Sequence, residues 1–225
     1  MNIPRPPHRW SVSTAEATAI QRRLANAVES CRPPQPIRLV AGVDAAFTAE
    51  QQLCVAGVVL WDLAQREVIE QHTASRKLSF PYVPGLLSFR ETPAVLAALR
   101  KLRCDPDAVM CDAHGIAHPR RFGLACHVGV ICRVPTVGCA KSRLIGTHRE
   151  PRLERGSTSP LVHKGNELAR VLRTKSGVKP VFVSVGHLCD LESAVSLVLD
   201  CATRYRLPEP TRLADRLVAR AKGLY

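Results

Sequence analysis

Apolar residues fall at Val95, Ala98, Leu99 and Leu102, the i, i+3, i+4, i+7 spacing of a helix with one buried face. Thr92-Pro93 just before them predicts an N-cap followed by proline at the first helical position. The same stripe recurs at Leu191, Ala194, Val195, Val198, Leu199 and Ala202, behind Asp190 as a second N-cap. Residues 14–30 read as a third helix, stopped by Arg32-Pro33-Pro34-Gln35-Pro36, and 119–132 as a fourth. The remaining apolar runs have strand length. Those at 37–47, 53–61 and 66–74 are separated by short polar turns and predict an antiparallel meander. Those at 108–112, 134–139 and 181–185 alternate with helices. This order predicts one α/β domain over residues 1–225, with a mixed central sheet of a three-strand antiparallel meander plus parallel strands, flanked by helices. Residues 1–11 read as a flexible N-terminal extension.

Three acids break this pattern. Asp44 interrupts the apolar run 39–47, Asp112 closes the run 108–112, and Glu91 follows the compact stretch 80–90. An ionised carboxylate among apolar side chains is costly unless it is paired or coordinated, and three brought together call for a divalent cation. Hard oxygen donors suit Mg²⁺, with Mn²⁺ as a substitute, better than zinc. In α/β sheets polar groups at strand ends tend to face the ligand crevice, which also marks Lys141 after the strand 134–139 and His187 after 181–185.

Charge changes the picture next. Thirty-two Lys and Arg against 19 Asp and Glu give a formal net charge of +13, which points to a polyanionic partner, with nucleic acid ahead of membrane. Between residues 119 and 155 basic residues, among them Arg120, Arg121 and Arg143, far outnumber Glu150 and Glu154, as a phosphate-backbone track requires. No apolar stretch is long enough to span a membrane, and the N-terminus lacks a signal-peptide core, so a cytoplasmic protein is expected. Cys54, Cys111, Cys132, Cys139 and Cys201 lie inside apolar runs and read as buried, reduced thiols. The Cys and His spacings contain no zinc-finger pair with its partners.

The order of these strands and acids resembles the ribonuclease H-like nucleases, and the local runs resemble the endonuclease V family of inosine-directed repair nucleases. The residues that carry the likeness are Val43-Asp44-Ala45, Pro81-Tyr82-Val83-Pro84-Gly85, Phe89-Arg90-Glu91, the run 112–121 with Gly123-Leu124-Ala125, Gly138-Cys139-Ala140-Lys141-Ser142, Val183-Ser184-Val185-Gly186-His187, and the run 205–212. They span about residues 12 to 218 in order. One departure is Ala113, where the family usually has glycine; its methyl group would crowd an approaching nucleotide or force a small backbone shift.

The resemblance implies a DNA repair endonuclease that acts on deaminated bases, chiefly deoxyinosine. It implies Mg²⁺-dependent hydrolysis of the second phosphodiester bond 3′ to the lesion, which stays in place. Asp44, Glu91 and Asp112 would hold the metal, His187 would orient or deprotonate the attacking water, and Lys141 would contact the scissile phosphate or a metal-bound water. Tyr82 would wedge into the duplex beside the lesion. Gly85, Leu87, Gly115 and His118 would form the pocket for the everted base, and Arg120, Arg121 and Arg143 would meet phosphates. A monomer acting on double- or single-stranded DNA is expected; the alternative substrate is inosine-containing RNA. A catalytically silent binding module would lack at least one of the three acids, and all three are present.

Overall fold

The structure, a computed structural model, describes residues 1–48 and 52–223. One eight-stranded sheet forms its centre, in the order β3-β2-β1-β4-β5-β8-β7-β6. β1 (Leu39–Thr48), β2 (Leu53–Asp62) and β3 (Glu67–Lys77) make the expected antiparallel meander. β4 (Ala108–Cys111) and β5 (Thr136–Ala140) continue parallel to β1. β8 (Val181–His187) then runs antiparallel to β5, and β6 (Thr158–His163) and β7 (Asn166–Leu172) close that edge as a hairpin.

Alternation along β1 divides the core. Ala41 and Val43 face α2 (Ser88–Leu99) and α3 (Leu124–Cys132), whereas Val40 joins β4 residues and α4 (Leu191–Cys201) on the other side. α5 (Glu209–Lys222) also lies against β1 and β2, and glycines make room for it. A Cβ on Gly42 would overlap the Pro210 carbonyl, and one on Gly57 would lie 2.8 Å from Val218 Cγ2. Gly42, two residues before Asp44, therefore seats α5 beside that carboxylate. No helix among the described residues is long and apolar enough to cross a membrane.

Several boundaries differ from the sequence reading. α1 (Thr14–Ala25) ends early, at Ala25 rather than residue 30; its start is fixed by a capping box between Ser13 and Glu16. α2 begins at Ser88, so Thr92 is a fully buried helical residue and not its cap, and Pro93 lies inside the helix. As the sixth residue of α2, Pro93 has no N–H to offer the Phe89 carbonyl, so the helix gives up one bond there. Residues 119–123 form a loop before α3, with Arg121 at φ 57. The β6–β7 hairpin was not foreseen, although its turn residues Lys164 and Gly165 both take positive φ, as a two-residue hairpin turn demands. α5 was also missed, despite its amphipathic stripe.

The N-terminal segment is docked, not a loose extension. Ile3 is buried in the core, and His8 and Trp10 pack against Phe89 and His127. Burial of apolar side chains outweighs the entropy of ordering this stretch. Of the nine free cysteines seven are buried, including the five expected to be; Cys31 and Cys104 are exposed.

Gly42→Ala is expected to lower stability by about 1–3 kcal/mol, the usual cost of overpacking a tight contact. Denaturant unfolding would measure it, and a variant as stable as the parent would show that α5 does not need this close approach.

Candidate active site

Val43 pairs with Cys111 in the parallel β1–β4 ladder, and Asp44 and Asp112 each come one residue later. Register alone thus sets the two aspartates side by side, roughly one strand spacing of about 4.8 Å apart. Asp44 also pairs across β1–β2 with Gly57, which has no side chain to cover it. Glu91 enters from the first turn of α2 and is buried. All three carboxylates line a single cavity of about 430 Å³, together with Lys141, which follows β5. Lys141 Nζ stands 2.6 Å from Asp112 Oδ2.

One lysine does not balance three acids. Burial, and then the charge on Asp112, raise the Asp44 carboxyl to about 7. Burial followed by Asp44 and Asp112 raises Glu91 to about 8. Asp112 is raised as well, since burial outweighs the hydrogen bond and charge of Lys141. Burial pulls Lys141 down, but its bond to Asp112 reverses this and leaves it raised. Among the described residues no three His, Cys, Asp or Glu side chains close around a point as a complete ligand set. Mg²⁺ does not need one. It binds through one or two carboxylates, keeps several waters and takes substrate phosphate oxygens. Buried acids that repel one another, and stay raised despite Lys141 in the cavity and the nearby charges of Arg90 and Arg206, fit such an ion.

Asp215 was missed in the sequence. It lies on α5, and its charge raises both Asp44 and Asp112. The signal was there to find: Thr211, Ala214, Asp215 and Val218 fall at i, i+3, i+4 and i+7, so an acid occupies an apolar stripe.

His187 is not at this cluster. Because β8 runs antiparallel to β5, His187 pairs with Thr136 at the start of β5, whereas Lys141 follows the end of that strand. Its Nδ1 accepts the Glu29 N–H at 3.2 Å, and it lines a separate cavity with Glu29 and Arg133.

The expected recognition residues divide likewise. Tyr82, Gly85, Leu87 and His118 line the cavity of the acids, and Tyr82 is 71% exposed at its rim. Gly85 takes φ 77, and its carbonyl accepts from Gln21 Nε2 at 3.0 Å, His118 Nε2 at 3.0 Å and Arg120 Nη2 at 2.6 Å. His118 Nδ1 accepts the Arg120 N–H at 3.2 Å, and burial followed by the nearby Arg120 charge lowers this imidazole to about 4. It is a neutral ring with a fixed tautomer. Gly115 does not face the cavity; a Cβ there would strike the Val185 carbonyl, and its N–H bonds Ser184 Oγ at 2.9 Å. Its glycine serves packing against β8. Arg120 is likewise committed inside the protein, to Gly85 and to Gln21 Oε1 at 2.5 Å. Arg121 is partly buried, and its Nη1 has no partner among the described residues. Arg143 is exposed. Ala113 lines the cavity, where its methyl group narrows the wall.

The raised carboxyls give the metal-free protein a pH signature. Between about pH 4 and 8 the unfolded chain releases protons that folded Asp44 and Glu91 retain, so stability falls as pH rises through that window. Asp44→Asn is expected to melt higher than the parent at pH 8 in a chelator, with the difference vanishing near pH 4. Thermal melting across that range is the check, and a pH-independent difference would refute the mutual repulsion.

Comparison with known proteins agrees with this geometry. The endonuclease V family profile matches residues 22–216. Endonuclease V of Roseiflexus castenholzii is 49% identical over 215 residues, covering 96% of each chain. The crystal structure of endonuclease V from Streptomyces avermitilis superposes with a TM-score of 0.93 at 47% identity, over 97% of this chain and 96% of that one. Ciona intestinalis endonuclease V, crystallised with a 24mer DNA containing an inosine followed by a ribo-adenosine, gives a TM-score of 0.82 at 28% identity, over 94% and 98%. With its acids on adjacent strands of a matching fold, and close relatives along nearly its whole length, the chain belongs to the endonuclease V family of nucleases.

Proposed function

We propose that this protein recognises deaminated bases in DNA, chiefly deoxyinosine, and hydrolyses the second phosphodiester bond 3′ to the lesion with Mg²⁺, leaving the lesion in place. The observation that carries the reading is a cavity that joins an unbalanced carboxylate cluster to an exposed tyrosine at its rim. Asp44, Glu91 and Asp112 are the groups that would hold Mg²⁺ or Mn²⁺, with Asp215 adding charge from α5. Bound there, the ion would polarise the phosphodiester, lower the pKa of a water and neutralise charge that develops at the leaving oxygen. Lys141, salt-bridged to Asp112, would meet the scissile phosphate or a metal-bound water.

Tyr82 would enter the stack where the altered base leaves it, a step that costs least for a mispaired base. Gly85, Leu87 and His118 would then receive the base. The net charge of +13 draws the phosphate backbone, with exposed Arg143 among its contacts. His187, bonded to the Glu29 N–H away from the acids, would have no role in this reading.

A second reading, inosine-containing RNA, is favoured by one observation: the Ciona relative was crystallised on a strand with a ribonucleotide directly after the inosine. Matched strands that differ in the inosine, and in the sugar that follows it, separate the two readings when incubated with and without Mg²⁺. Cutting that ignores the inosine would overturn both.

Asp44→Ala and Asp112→Ala are each expected to abolish Mg²⁺-dependent nicking while the protein stays folded, measured by gel cleavage and thermal melting. Near-normal cutting by either variant would end the metal-site assignment.

Tyr82→Ala is expected to weaken binding to an inosine duplex by roughly 5- to 150-fold, the cost of one aromatic contact to a base, and to leave an undamaged duplex almost unaffected. Arg143→Ala should weaken both alike and reduce the salt slope by about one. Titrations of paired duplexes at several salt concentrations are the measurement, and equal losses for Tyr82→Ala would make that residue a turn-packing aromatic.

A further inference from the structure

A chain of three side chains runs from the docked N-terminal segment to the wall of the active-site cavity. His8 Nδ1 lies 2.9 Å from the Arg9 carbonyl oxygen. His8 Nε2 lies 2.8 Å from His127 Nε2. His127 Nδ1 lies 3.1 Å from Ser88 Oγ. Ser88 opens α2, is buried, and lines the cavity beside Gly85, Leu87 and Glu91.

The direction of every proton in this chain follows from one fixed end. A carbonyl oxygen can only accept, so His8 Nδ1 carries the hydrogen. In a neutral imidazole the other nitrogen is then an acceptor, so His127 Nε2 must donate to it. His127 Nδ1 is therefore an acceptor, and the Ser88 hydroxyl donates to it. Both imidazoles are biased toward the neutral form: burial lowers His8 despite the opposing bond to the Arg9 carbonyl, and burial lowers His127 well below its ordinary value. Their surroundings leave little freedom, with Trp10, Phe89 and Phe122 packed around the two rings. With its only proton committed, Ser88 Oγ has lone pairs and no donor left, and among the described residues it has no second partner.

We propose that Ser88 is a specificity-determining residue, an oxygen locked as a hydrogen-bond acceptor by His8 and His127 so that the cavity favours a base presenting an N–H on its pairing edge. Hypoxanthine presents such a group at N1, whereas adenine and unsubstituted purine present a lone pair there. A free hydroxyl could turn to satisfy either edge and would discriminate poorly. A hydroxyl whose proton is fixed from behind leaves the wrong edge facing an unpaired acceptor, and that mismatch is costly in a buried site. The proposal rests on the reading of the cavity as the pocket for an everted base.

The test compares two otherwise identical duplexes, one with deoxyinosine and one with 2′-deoxynebularine, whose purine lacks the N1 hydrogen. Their kcat/KM ratio at pH 8 with Mg²⁺ is measured for the parent, Ser88→Ala and His8→Ala. His8 lies outside the cavity wall, so a purely structural role would scale both substrates together and leave the ratio unchanged. Ser88→Ala is expected to lower the inosine-to-nebularine ratio by about 5- to 150-fold. His8→Ala, which frees His127 to take either tautomer, is expected to lower it in the same direction by a smaller factor. A ratio within twofold of the parent in Ser88→Ala overturns the serine as acceptor. The same result in His8→Ala overturns the fixing of its proton by the histidines. If the parent cuts neither duplex, the reading of the pocket itself fails, an outcome distinct from an unmoved ratio.

Discussion

The constraint on which the rest of the structure depends is the parallel, in-register pairing of β1 with β4. Val43 and Cys111 are the last residues paired in this ladder, so Asp44 and Asp112 stand side by side where the two central strands part. Both are largely shielded from water, and Glu91 comes down on them from α2. Folding has thus gathered like charges that an unfolded chain would keep apart, and the raised Asp44 and Glu91 carboxyls record the cost. Such an arrangement persists because the β1–β2 and β1–β4 ladders around the acids run without a register shift. A cation that brought its own waters would relieve that repulsion.

Around that pair the molecule uses absence of side chains as much as their presence. Gly42 and Gly57 lie on the face of Asp44 and let α5 settle onto the strands, which brings Asp215 toward the acids. Gly115 allows the loop after Asp112 to press against β8. The reversal of β8 relative to β5 then decides which residues reach the site. Lys141 leaves β5 at the active end, and His187 finishes β8 at the other, where it holds the Glu29 backbone. A strand-end histidine carries no information about which end of the sheet it occupies until strand direction is known.

The other wall of the cavity is polar in a different way. The Gly85 carbonyl gathers three donors, and Arg120 and His118 are spent in holding it. Ser88 is held from behind by two histidines, one of them from the first ten residues. Side chains whose hydrogen bonds are satisfied inside the protein do not reorganise when a ligand arrives, so the wall keeps its pattern of donors and acceptors. The cavity therefore combines a floor of mutually repelling acids with a wall whose hydrogen bonds are set in advance.

Much of this was legible in the chain itself. The meander, the strand ending at Asp112 and the stripes of α2 and α4 follow from periodicities that local geometry imposes on any amphipathic segment. The three acids stood out because charge inside an apolar run is costly wherever the chain folds. What the sequence by itself determined was the meander, β4, β5, β8, the helices α1 to α4 to within a few residues of their ends, and the oddness of Asp44, Glu91 and Asp112. Tertiary structure decided the remainder, since it depends on distance between residues remote in sequence. It placed Asp215 beside acids 100 and more residues away in the chain, turned Arg120 inward onto Gly85, and withdrew His187 to the far end of β8. It also folded residues 1–10 against α2 and α3, because Ile3, His8 and Trp10 found apolar and aromatic partners there that no local pattern announces.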